Sequence, residues 1–185
     1  MGKQKSKKLC EFDFDNDKKL RLSCLGIAAG ICAVLFLIGI LIQPLRELFD
    51  TAGILRFGLR MVLLLALLLL LVAACELLRS KLIKKLSGKE AQHSLRRPFA
   101  YAYTHEKLNV RQYLIISLAP TVICALVIVL LQLLLPDKWF WVLMVVQMAN
   151  LGGAAPAVYS TVVVLKIRAG VLLSDDGEKL TVWTN

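Results

Sequence analysis

The chain has 185 residues, 58% of them hydrophobic, with a mean hydropathy of +0.69 and a formal net charge of +10. Soluble domains carry about 45–50% apolar residues even when glycine is counted, so this composition excludes an ordinary soluble domain and implies one integral membrane domain. The bases cluster beside apolar runs with no aromatic platform for stacking nucleobases, which points to a bilayer with anionic headgroups and away from nucleic acid. Five cysteines (Cys10, Cys24, Cys32, Cys75, Cys124) show no paired spacing, so buried or free thiols are expected rather than a disulfide framework.

Residues 1–21 hold seven bases and four acids and read as a basic, solvated tail with an interfacial touch at Phe12 and Phe14. The transmembrane domain is expected over residues 22–170, with spans at about 22–42, 57–79, 113–135 and 139–167. The first span is too long for a secretory signal and has no small-residue cleavage site behind it, so it stays as an anchor. Gly26, Gly30 and Ala33 place small residues close together in it, a pattern that suits tight helix contact in lipid. The second span has no polar side chain from Met61 to Ala74 and then ends on Cys75-Glu76-Leu77-Leu78-Arg79. Beyond it, Leu78, Leu82, Ile83 and Leu86 share one face and Lys81, Lys84 and Lys85 another, the pattern of a helix lying at the interface.

A polar loop, 80–112, separates the second and third spans. Strands around Gln92–Leu95 and Phe99–Tyr103 are expected to form a short β-hairpin there, with His105-Glu106 in solvated loop. Pro120 interrupts the third span, and Gln147, Asn150, Gly152, Gly153 and Pro156 make the middle of the fourth irregular or broken. The tail, 171–185, carries Asp176-Gly177 between two apolar runs, a hairpin signal. Nineteen of the 23 bases fall in residues 1–21, between Arg79 and Arg111, or from Lys166 onward, so the N- and C-termini and the long loop are expected in the cytoplasm. The fold class is thus an all-α membrane protein of four transmembrane helices, with a short hairpin in the cytoplasmic loop and another at the C-terminus.

A carboxylate at the end of an apolar helix is costly and marks a candidate site. Glu76 is one, and Arg79, three residues on, can pair with it. The order of parts around it, from Phe57 to Trp183, resembles a family of small bacterial membrane proteins of unknown function classed with the zincin peptidases. In that family the second span ends in His-Glu-x-x-His; a Pro-aromatic-Ala-Tyr-Ala stretch, a Gln-Tyr, an Ala-Pro and an Asn before Gly-Asp follow. This chain has Pro98-Phe99-Ala100-Tyr101-Ala102-Tyr103, Arg111-Gln112-Tyr113, Ala119-Pro120, and Asn150 with Gly152-Gly153, in that order. The resemblance implies a membrane-embedded metalloprotease scaffold distantly similar to site-2 proteases.

What it also implies about chemistry is not met by the residues. Two imidazoles one turn apart, a third ligand from another span and a Glu that takes a proton from metal-bound water make such a centre. Here Cys75 and Arg79 stand where the histidines would, Glu76 alone remains, and Gly153-Ala-Ala-Pro156 stands where the third ligand would be. The vestigial motif Cys75, Glu76, Arg79 therefore reads as having no catalytic residues, no metal and no cofactor. The expected function is that of a pseudo-protease that binds or regulates another membrane protein, held at a groove formed by Glu76, Arg79, Pro120, Asn150, Gly152 and Gly153. Two other readings stay open: an active membrane metalloprotease with unusual ligands, and a small transporter or accessory subunit. The expected location is the bacterial cytoplasmic membrane.

Overall fold

The computed structural model describes residues 8–13, 16–45, 54–94, 101–166, 171–175 and 179–184. Strand β1 (Lys8–Asp13) leads into helix α1 (Lys18–Ile42), then α2 (Ile54–Ser87), the strands β2 (Gln92–Ser94) and β3 (Tyr101–Asn109), and helix α3 (Val110–Leu134). A single 3-10 turn at Asp137–Trp139 is followed by α4 (Phe140–Gly153), α5 (Ala155–Lys166), β4 (Val171–Asp175) and β5 (Lys179–Thr184). Four segments are long and apolar enough to cross a membrane: Lys18–Ile42, Phe57–Ser87, Val110–Leu134 and Asp137–Lys166, the last made of α4 and α5 together.

Local chemistry sets the helix limits. Asp17 caps α1 by accepting the N–H groups of Lys19 and Leu20 at 2.9 and 3.4 Å. Gln43-Pro44 closes that helix. Helix α2 runs unbroken for 34 residues, about 51 Å at 1.5 Å per residue, well beyond a hydrocarbon core of ~30 Å. It stops at Gly88, whose φ of +72° is the left-handed turn that glycine adopts freely after a helix. Gln112 then ties two ends together: its Oε1 accepts the N–H of Asn109 at the start of α3, and its Nε2 donates to Leu86 O at the end of α2. Pro120 is accommodated inside a continuous α3 and is buried, while the fourth span breaks at Ala154.

The five described strands join into one antiparallel sheet of order β1-β5-β4-β3-β2. Both expected hairpins are present, with Gln92 opposite Tyr103 and Asp175 opposite Leu180. Their turns, Pro98–Ala100 and Asp176-Gly177 among them, lie outside the described residues. The sheet goes further than two separate hairpins. Residues 8–13, read above as tail, form β1 against β5, and β3 runs on through His105 to Asn109 and pairs with β4. A period of two explains this: Ala102, Thr104 and Leu108 are buried in β3, as are Val171 and Leu173 in β4 and Leu180 and Val182 in β5.

Two cores result. At the sheet end of the bundle, those buried strand residues pack on Ile83 of α2, Tyr113 and Ile116 of α3 and Val164 of α5. The apolar face of the last turns of α2 is therefore covered by the sheet, where the sequence pattern alone placed the helix at the membrane interface. Deeper in the bundle, Ile128, Leu143 and Val146 meet Leu64, Leu67, Leu68 and Leu71 of α2. The close helix contact also differs from the one expected. A side chain at Gly26 or Gly30 would meet open space, whereas Gly39 lies under Trp141 and Met144, and Gly152 lies against Cys32 and Ala28. So α1 seats on α4 through one glycine from each, and Trp141 Nε1 donates to Pro44 O to fix the exit of α1.

Candidate functional site

The residues Cys75, Glu76 and Arg79 occupy the α2 turn that enters the sheet end of the bundle. Successive helix positions are about 100° apart, so Cys75 and Glu76 face different neighbours. Glu76 and Arg79 turn toward the sheet. Arg79 Nη1 donates to Glu76 Oε1 at 2.7 Å, with both side chains about 15% exposed. The second oxygen, Oε2, accepts the backbone N–H of Ala102 in β3 at 2.6 Å. Ala102 stands opposite His93 of β2, so the carboxylate holds the β-hairpin to the helix. Both Glu76 oxygens are thereby engaged, and the ion pair read from sequence is present with a third partner that sequence did not indicate.

Cys75 turns inward, toward α3 and α4. Its Sγ lies 3.5 Å from Cys124 Sγ and 3.9 Å from Asn150 Oδ1. Asn150 is buried and donates through Nδ2 to Thr121 O at 3.0 Å, one residue past Pro120. The proline and the asparagine that the sequence singled out are therefore neighbours, with the amide satisfied by a main-chain carbonyl of the proline-bearing turn. At the sheet end, Tyr113 is buried and hydrogen-bonds with the side chains of Ser160 and Ser117, and Ser160 Oγ donates to Pro156 O at 2.6 Å.

The residues expected to form a groove are divided among three contacts. Glu76 and Arg79 face the sheet, Asn150 and Pro120 sit in the middle of the bundle, and Gly152 is turned to α1. Gly153 faces open space at the break between α4 and α5. Sequence reasoning missed Cys124, which sits 49 residues from Cys75 in the chain. Its only local signal was a thiol on the α3 face shared with Ser117 and Pro120.

A model of the family described as "Putative zincin peptidase" matches residues 68–172, more than half of the chain and the whole of the site just described. The chain belongs to this family. No curated protein and no solved structure matches it. Zinc, which the family description implies, is tested against the donor set itself. A catalytic zinc takes three protein ligands of the His, Cys, Asp or Glu kind and keeps one position open. Among the described residues no three such groups come together. Arg79, at the second histidine position of the family motif, instead points its guanidinium at Glu76, and a fixed positive charge there opposes a dication. The side chains of His93 and His105 lie outside the described residues. The described donor set does not fit the zinc centre of a peptidase.

Proposed function

We propose that this zincin-peptidase family member is a pseudo-protease, a membrane scaffold without metal-dependent catalysis that binds or regulates another membrane protein. The observation that carries this reading is the double engagement of Glu76. A general base must have a free oxygen facing a metal-bound water. Here one oxygen is taken by the Arg79 guanidinium and the other by the Ala102 N–H. The residue that would do chemistry has become the pin that joins sheet to bundle.

The excess of bases supports a cytoplasmic sheet end, and contact with anionic headgroups is supported by exposed Lys18, Lys19 and Arg21 at the start of α1 and exposed Lys81, Lys84 and Lys85 in the last turns of α2. A partner contact at Gly153 is supported by the open space that a side chain there would meet.

The test has two arms. Protein purified in detergent without a histidine tag is expected to hold well under one zinc per chain and to leave membrane substrates intact. Stoichiometric zinc lost on Cys75→Ser or Glu76→Gln would overturn the inactive reading. A photo-crosslinker placed at Gly153 in native membranes is expected to capture one defined membrane protein. Adducts to lipid alone would remove the partner from the proposal.

A further inference from the structure

We propose that Cys75, Cys124 and Asn150 form an intramembrane site for a soft, thiophilic monovalent metal ion of the Cu(I) class. This goes beyond the pseudo-protease reading and does not rest on it, because it concerns a different ion and a residue, Cys124, outside the zincin motif.

Cys75 Sγ on α2 lies against one donor from each of two other helices, the thiol of Cys124 on α3 and the amide oxygen of Asn150 on α4. Two sulfurs are 3.5 Å apart and the amide oxygen is 3.9 Å from Cys75 Sγ. Ligands bound at ~2.3 Å through sulfur and ~2.1 Å through oxygen stand about 3.6–4.0 Å apart at tetrahedral to trigonal angles. Both distances from Cys75 Sγ thus lie within a few tenths of an ångström of those between ligands of one ion. Nearby, Gln147 lies one turn before Asn150 on the same side of α4, and its buried Oε1 has no hydrogen-bond partner among the described residues. That oxygen is a further neutral donor along the same inner line of the bundle.

The choice of ion follows from number and softness. Zinc asks for four ligands, whereas thiolates select Cu(I), which is content with two or three. Binding releases the two thiol protons and changes no oxidation state. Cys75 is only half-buried, which leaves a lateral approach, while Cys124 is buried and keeps the ion from water.

The test uses the full chain in detergent, reduced and anaerobic, titrated with Cu(I) buffered by bicinchoninate. One Cu(I) per chain is expected, with sulfur-to-copper absorption in the near ultraviolet. Cys75→Ser and Cys124→Ser, each confirmed as folded by unchanged elution, should each weaken binding by more than the ~100-fold that loss of an outer contact costs. Cys10→Ser and Cys24→Ser should bind as the parent does. Zn(II) in the same titration should fail to compete. The proposal falls if Cu(I) binding survives both Cys75→Ser and Cys124→Ser, if Zn(II) competes on equal terms, or if the parent chain carries a Cys75–Cys124 disulfide that reductant does not open.

Discussion

The sheet end and the deep half of the bundle use the same apolar side chains under different physical rules. At the sheet end, Leu173 and Val182 are fully buried, and every partner they have was taken from water. In the deep half, Leu65, Leu69 and Leu70 of α2 and Leu126 and Leu133 of α3 stand more than half exposed. That exposure costs nothing in lipid, which is as apolar as leucine, so helices there associate through close packing and not through hydrophobic burial. The glycine contacts of α1 with α4 follow this rule. The polar pins, Glu76 with Arg79 and Ala102, sit where the two regimes meet.

The largest effect expected from this contrast lies in the cores. Leu173→Ala should cost about 2–5 kcal/mol, the range for emptying a well-packed site. Leu143→Ala, nearly as buried but in the deep half, should cost clearly less, because its unfolded reference in a micelle is also apolar. Unfolding of both variants in one detergent measures the difference. Equal losses would mean that the two regions are held by one rule.

Next comes the junction. Breaking a buried ion pair from one side costs ~3–5 kcal/mol, and removing both members is often near neutral. Glu76→Leu strips an acceptor from two donors, whereas Arg79→Leu leaves Glu76 bound to Ala102. The expected losses are about 3 kcal/mol for Glu76→Leu, nearer 1–2 for Arg79→Leu, and less than their sum for the double change. A double-mutant cycle of stability reads this directly, and additive losses would show that the pair is not coupled.

The smallest effect is at the edge of the sheet, on β1. Hydrogen bonds from Lys179 and then Lys8 hold the Glu11 carboxyl below its usual 4.5, and Glu11 and Asp13 hold the Lys179 ammonium above its usual 10.5. A lowered carboxyl contributes stability that is present above its unfolded value and is lost as pH falls through the folded one. A raised ammonium contributes below its unfolded value and loses that as pH rises through the folded one. The β1–β5 contact should therefore be unchanged across neutral pH and loosen below about 4.5. Amide NMR of β1 checks this, and Lys179→Gln should shrink the acid step to the part that Lys8 holds.

Much of this contrast was legible before any coordinates. Uncharged runs marked the spans, Asp176-Gly177 and the aromatic alternation after Pro98 marked the hairpins, and the i, i+3 spacing marked the Glu76–Arg79 pair. These are local signals. What could not be read is what depends on distant neighbours. Leu9-Cys10-Glu11-Phe12 is too short and too close to bases to stand out as a strand until β5 lies beside it. Gly26 and Gly30 have the spacing of a helix contact, but Gly39 has the contact, because Trp141 arrives there from across the bundle. The meeting of Cys75 with Cys124 and of Glu76 with Ala102 likewise depends on how α2 is rotated, which the leucine-rich run around it leaves undetermined.

The pairing of Lys8 with Trp183 carries a consequence for how the chain is made. Strand β1 leaves the ribosome long before β5 exists, so it must wait, unpaired, while all four spans enter the membrane. Contacts between such distant segments form slowly because the loop between them has to close first. The sheet thus assembles as a clasp after insertion, with β4 and β5 zipping locally and β1 adding to their edge as the closing event. A ribosome stalled just short of β5 should display β1 to protease, and release of the finished chain should protect it.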